Sequence, residues 1–258
     1  MLTNAIYLKG LVIRGTDGEL GTVEDFYFDD ETWVIRYIIV DTGGWLGGRE
    51  VLISPLAVTH ADWPARRLDL ALTKQQVENS PDINTQLPVS RQHESIFNGY
   101  FGYPTYWTAY PSFVGGVGIP TPLAIVDASD GGQRDLMDSH LHSTKAVDGY
   151  HIEATDGEIG HVAGFVIDVS TWAIRYMEVA TRNWWPGKTV LLSPEWIESV
   201  SWEKSKVYVG VLRAAIMDAP IYVESAPITR EYEDRLFATY GRSPYWMRHL
   251  PAAKTTNP

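Results

Sequence analysis

Cysteine is absent from this chain. That excludes disulfides, thiolate nucleophiles and cysteine-held metals. No apolar run approaches the roughly 18–20 residues that a spanning helix needs, so the protein is not expected to span a membrane. The opening stretch, Met1 to Lys9, lacks a basic region followed by an apolar one. No secretory leader is expected, and the expected location is cytoplasmic. Positive charge is also short: 21 Lys and Arg stand against 32 Asp and Glu, for a formal net charge of −11. The basic residues are scattered, and such a field repels a phosphate backbone, so no nucleic-acid partner is expected. Hydrophobic content of 45% over 258 residues is ample for one or two ordinary cores.

What the chain does contain is itself, twice. Thr16-Asp17-Gly18-Glu19-Leu20-Gly21 returns as Thr155-Asp156-Gly157-Glu158-Ile159-Gly160, and Val51-Leu52-Ile53-Ser54-Pro55 returns as Val190-Leu191-Leu192-Ser193-Pro194. Trp33, Ile35, Arg36 and Tyr37 return as Trp172, Ile174, Arg175 and Tyr176, always 139 residues on. Between 16–55 and 155–194, 21 of 40 positions are identical without a gap. Weaker matches continue through Trp63 and Trp202, Arg91 and Arg230, Glu94 and Glu233, to Tyr106-Trp107 and Tyr245-Trp246. A repeat of this length is a domain. The expected organisation is a first domain over 1–110, a Gly/Pro-rich linker over 111–139, and a second domain over 140–250.

Within one copy, Asp17-Gly18 predicts the centre of a two-residue hairpin, because both residues tolerate positive φ. Leu11 to Arg14 runs into that turn and Gly21 to Phe28 out of it. Trp33 to Val40 is β-branched and aromatic, with apolar residues on both faces, as in a strand buried on both sides. Glu50 to Ser54 predicts another strand, stopped by Pro55. Ala57 to Ala61 and Arg67 to Leu72 complete about six. Thr73 predicts a helix N-cap, and a second helix is expected from Ser90 to Gly102. Short strands with tight turns argue a small antiparallel barrel. The expected fold class is mainly β: two tandem small antiparallel β-barrels, each followed by short C-terminal helices.

The pattern from Asp17 to Thr42 (DGxxGxVxDFxFDDxxWxIRYxIVDT), followed by Gly47 to Pro55, resembles the PRC-barrel family. The second copy matches at Asp156, Gly157, Gly160, Phe165, Asp168, Trp172, Arg175, Tyr176 and Ser193-Pro194. It departs at Gly164, where the first has Asp25, and at Ala180, where the first has Asp41. The tails resemble those of bacterial proteins with two such barrels. The family includes the cytoplasmic part of the photosynthetic reaction-centre H subunit and the C-terminal domain of a ribosome maturation factor. The resemblance therefore implies an assembly or contact module, with no catalytic residue to carry over.

Each candidate site has a plainer structural explanation. Arg36 and Arg175 sit mid-strand among apolar residues. A buried guanidinium needs a partner, and the repeated acids Asp29 and Asp168 are the expected ones. Seven histidines occur and none recurs at the repeat offset. His140 and His142, with Asp135 and Asp138 upstream, make the best metal candidate, at a linker edge where imidazoles are usually solvated. Metals and cofactors are therefore not expected. Ser54 and Ser193 repeat without a repeated base, so they lack the partner a nucleophile needs. Glu94 and Glu233 have Arg91 and Arg230 three residues earlier, the spacing of a same-helix ion pair. Trp33, Trp172, Trp63 and Trp202 read as core. Trp45, Trp184 and Trp185 fall in a loop beside Gly47-Gly48 and Pro186-Gly187, and form the expected contact patch.

The leading expectation is a non-enzymatic binding, scaffold or assembly protein, with a protein partner that the sequence does not name and homo-oligomerisation left open. The alternative is a small-ligand sensor or enzyme with a site between the copies. A site of that kind should gather titratable residues and break the repeat symmetry where it does so. If the copies meet through a pseudo-twofold axis, contacts between them should be reciprocal, with the aromatic tails among them.

Overall fold

The computed structural model describes residues 1–81, 89, 91–105, 140–181 and 188–247. It divides into two compact units. One is Lys9–Ser143; the other joins Met1–Leu8 to Thr144–Pro258. The expected linker, 111–139, lies outside the described residues, as do Tyr106 and Trp107.

The chain opens with a short strand, β1 (Leu2–Asn4), and one helical turn, α1 (Ala5–Leu8), both part of the second unit. The first unit then runs β2 (Val12–Gly15), β3 (Gly18–Asp29), β4 (Val34–Asp41), β5 (Glu50–Ile53), β6 (Val58–Asp62) and β7 (Arg67–Leu70). Helices α2 (Lys74–Glu78) and α3 (Arg91–Phe101) follow, and β8 (Leu141–Ser143) closes it. Thr73 caps α2, as the sequence predicts, and its partner Gln76 completes a capping box.

The strands pair in the order β6-β7-β2-β3-β4-β5. Two features depart from the expected antiparallel barrel. The β2–β7 ladder is parallel, and no pairing among the described residues joins β5 to β6 into a closed ring. Both follow from what the chain does at Ser54-Pro55. Proline stops β5, but the chain does not reverse there. It passes through a single 3-10 turn, Pro55–Ala57, capped by the Ser54 hydroxyl, and continues as β6. Given the ladder directions, β5 and β6 run in the same sense, so β7 returns parallel to β2. The sheet is nevertheless strongly curled. Flat, six strands would hold β5 and β6 about 24 Å apart at ~4.8 Å per strand. The five-residue step from Ile53 to Val58 spans at most ~17 Å.

The second unit repeats this ladder after α4 (Thr144–Val147), with β9 (His151–Ala154), β10 (Gly157–Asp168), β11 (Ala173–Ala180), β12 (Thr189–Leu192), β13 (Ile197–Ser201) and β14 (Lys206–Val209). Helices α5 (Arg213–Asp218) and α6 (Arg230–Thr239) follow. Register is kept to the residue: Val23 faces Val40 as Val162 faces Val179, and Val58 faces Leu70 as Ile197 faces Val209.

The short strands are exchanged. β8 pairs antiparallel with the end of β3, Leu141 opposite Asp29, and β1 pairs with the end of β10, Leu2 opposite Asp168. Leu2 and Leu141 are equivalent residues, so each sequence repeat lends its first strand to the unit built mainly from the other. Contacts between the repeats are thus reciprocal, through the first strands. The described parts of the tails cover their own units. Phe97 of α3 packs with Tyr37, Ile39, Leu52, Val89 and the borrowed Leu141, and Trp246 packs on Phe237.

Local details also differ from the sequence reading. The two-residue hairpin is Thr16-Asp17, between paired Gly15 and Gly18, one residue earlier than expected. Trp33 and Trp172 precede their strands and hold positive φ, 55° and 58°. Trp33 is buried and stacks on Phe28, whereas Trp172 is half-buried, and Trp63 and Trp202 are half-buried in turns. β4 is buried on both faces from Tyr37 to Val40, as expected.

Candidate functional site

The repeated polar residues hold turns and helices in place. Asp29 ends β3 buried, and its Oδ1 accepts from the Glu31 and Thr32 amides and the Thr32 hydroxyl. Arg36 Nε lies 3.9 Å from Asp29 Oδ2. In the second unit Asp168 accepts from the amide and hydroxyl of Ser170, and Arg175 lies 3.6 Å away. Burial alone would raise the Asp168 carboxyl, but the Ser170 donors and the Met1 ammonium outweigh it and hold it below the usual range. Each aspartate thus organises the tight turn that forces a tryptophan into positive φ, with the arginine as counter-ion. Asp17 and Asp156 accept from the Lys74 and Arg213 amides at the start of α2 and α5.

Glu94 and Glu233 are buried on their helices, where sequence reasoning foresaw only an ion pair with a preceding arginine. Arg230 does pair with Glu233, at 3.0 Å. What periodicity did not reveal is the tyrosine beneath. Tyr37 Oη donates to Glu94 (3.1 Å) and Tyr176 Oη donates to Glu233 (2.6 Å), and Tyr245 adds a second hydroxyl to Glu233. Burial, then the glutamate, pushes both strand tyrosines well above their usual range. These pairs fasten the C-terminal helix to the central strand.

The unrepeated candidates resolve differently. His140 and His142 flank Asp30, at 3.5 and 3.2 Å, with Glu31 3.7 Å from His140. Among the described residues, no three His, Asp or Glu side chains gather as a metal site. Trp45 is half-buried, its Nε1 donating to the Leu20 carbonyl at 2.8 Å with the Lys74 ammonium 5.4 Å from its ring centre. It is folded onto the hairpin. Trp184 and Trp185, its companions in the expected patch, lie outside the described residues.

Symmetry breaks beneath the borrowed strands. In the first unit Asp25 of β3 faces Ile39 of β4. Asp25 is buried, accepts from the Ser143 hydroxyl of β8 and pairs with Lys9 at 2.9 Å. In the second unit the carboxylate has crossed the ladder: Gly164 stands where Asp25 does, and Glu178 faces it in place of Ile39. A Cβ on Gly164 would sit 3.3 Å from the Glu178 carboxyl, so the glycine makes room for it. Asn4 of β1, the counterpart of Ser143, donates to Glu178. The counterpart of Lys9 is Asp148, and the neighbouring charge is Glu224. Burial first, and Glu224 second, push Glu178 up to about 7 against the lowering effect of Asn4. Burial and the acids also push Tyr222 up to about 12 and raise Tyr7. Around Asn4, the titratable residues Tyr7, Glu178, Tyr222 and Glu224 form a described group whose central acid is absent from the other unit, where Ile39 stands in its place.

Residues 8–64 match the PRC-barrel domain. The chain is also similar to an uncharacterized protein of Deinococcus radiodurans, 39% identical over 84 residues. That match covers 32% of this chain and 30% of the relative, so the chain spans about a third of the relative's length. The PRC-barrel match takes in the hairpin, the Asp29 turn, Arg36, Tyr37 and Asp25 with its Lys9 partner. Glu178 lies beyond it, in the half where the pattern departs at Gly164. That glycine, set against Asp25, was the sequence signal for the altered site. Its meaning depended on knowing that position 164 faces position 178.

Proposed function

We propose that the chain is a non-enzymatic binding or assembly protein made of two PRC-barrel modules, one per unit. The observation that carries this reading is how the repeated titratable residues are used. Asp17, Asp29, Arg36 and Glu94, with Asp156, Asp168, Arg175 and Glu233, are engaged within their own units. What the two copies share is a frame. Exposed apolar side chains are available for contact, with Ile6, Tyr7, Ile221 and Val223 on the second unit and Leu56, Ile96 and Tyr100 on the first. No described helix is long and apolar enough to cross a membrane.

A second reading, a sensor, is favoured by one observation: the acidic group around Glu178 sits where the repeat symmetry fails. Two measurements separate the readings. A photo-crosslinking residue at Ile6 or Ile221, in the native cell, should trap a discrete protein under the assembly reading. Native mass spectrometry of the purified chain should then give the bare mass. A stoichiometric small molecule retained in that spectrum, with no protein trapped, would displace the assembly reading.

A further inference from the structure

The second unit seats residues 1–8 over a buried acid that the first unit has arranged to neutralise. In the first unit the corresponding carboxylate, Asp25, meets a lysine. For Glu178 the counterpart of that lysine is Asp148, and the charge acting on it is that of Glu224. We propose that Glu178 is a proton-operated latch for the N-terminal segment: protonated, it holds β1 and α1 in place; ionised, it loosens them.

The segment touches Glu178 through Asn4. Asn4 Nδ2 donates to Glu178 Oε1, while Asn4 Oδ1 accepts from the Ile6 amide at the start of α1. One side chain thereby ties the acid to both elements of the segment. Burial, then Glu224 and Glu178, raises the Tyr7 hydroxyl of α1, and burial, then Glu178, raises that of Tyr222 in the loop after α5. The groups facing Glu178 are therefore Asn4 and Tyr7 from the segment, and Tyr222 and Glu224 from the loop. Gly164 opposite brings no charge. Glu178 itself is 6% exposed, so its ionised form has little water to turn to. A neutral carboxyl keeps an oxygen for the Asn4 amide without opposing Glu224. An ionised one is buried away from water and opposed by the exposed Glu224, and the simplest relief is for the covering segment to lift and admit water.

The sign follows from linkage. The closed state binds the proton more tightly than an open, solvated glutamate does. Closure is thus strongest at low pH and weakens as pH rises through about 7. With a closed-state value about 7 and an open-state value of 4.5, segment opening should rise about tenfold between roughly pH 6 and 8.5. Another charged contact precedes the same strand: the Met1 ammonium, 3.2 Å from Asp168.

Amide hydrogen exchange of the full chain tests the latch, with rates corrected for intrinsic pH dependence. Opening of residues 2–8, relative to the middle of β10, should rise about tenfold over that range. Glu178→Gln should remove the rise, because glutamine can serve the Asn4 amide but cannot ionise. Glu224→Gln, at an exposed position, should move the midpoint to lower pH. Flat wild-type opening would overturn the latch. So would a rise that survives Glu178→Gln, which would place its cause in another group. If Glu178→Gln does not fold, an unchanged midpoint in Glu224→Gln overturns it alone.

Discussion

Gly21 and Gly160 stand at φ of 145° and 155°, with a virtual Cβ 2.0 and 2.1 Å from the carbonyl oxygens of Asp41 and Ala180. The clashing atom is backbone in both, so no side chain can step aside. Gly21→Ala should cost about 3–5 kcal/mol, read by denaturant unfolding. Gly44→Ala, with open space around it, should stay within about 0.5 kcal/mol. The buried hydroxyl contacts give a milder case. Tyr176→Phe removes one donor from Glu233 but leaves Tyr245 and Arg230. A loss of about 1–2 kcal/mol is expected, and Tyr245→Phe in that background should cost more than it does alone. The repeat made these residues visible in the sequence: Tyr37 with Tyr176, Glu94 with Glu233. It did not show that they touch, because hydrogen bonds spanning 57 residues leave no local spacing to read.

Among the elements, β8 is the clearest case of sequence position misplacing a structural role. Leu141 is fully buried with Tyr37, Leu52 and Phe97 in the first unit. Leu141→Ala should lower the stability of that unit by about 2–5 kcal/mol. Faster exchange should appear in β3 and α3, while β10 keeps its protection. The long strands were legible, since Trp33 to Val40 and Gly21 to Phe28 carry pattern enough to place β4 and β3. A three-residue strand carries none. The parallel β2–β7 ladder was equally hidden: Ser54-Pro55 announces that β5 stops, and says nothing about whether the chain reverses.

For the whole molecule, strand exchange means that a cut at the repeat boundary does not yield a self-sufficient piece. A fragment spanning 140–247 carries β8, whose place is on β3, and lacks β1, which belongs on β10. Leu141–Ser143 is the counterpart of Leu2–Asn4, so in such a fragment it can cover β10, of its own chain or of a second copy. Hydrogen exchange of 140–247 should therefore find β10 protected, and sedimentation tells a self-covered monomer from an exchanged dimer. A fragment with an unprotected β10 would contradict this. The departure at Gly164 was legible as an irregularity; its consequence for Glu178 needed the ladder.

The exchanged strands also set a clock on synthesis. Asn4 emerges first, yet its pairing partner Val166 is translated some 160 residues later. At ~5–20 residues per second, that is on the order of ten seconds or more. Until Leu141–Ser143 is made, the site on β3 that will receive it is empty, and Leu2–Asn4, its counterpart in sequence, is close by along the chain. A nascent first half can shelter its own opening strand there and must then surrender it when β8 arrives. The last step in maturing this protein would be a trade of strands rather than the folding of a domain.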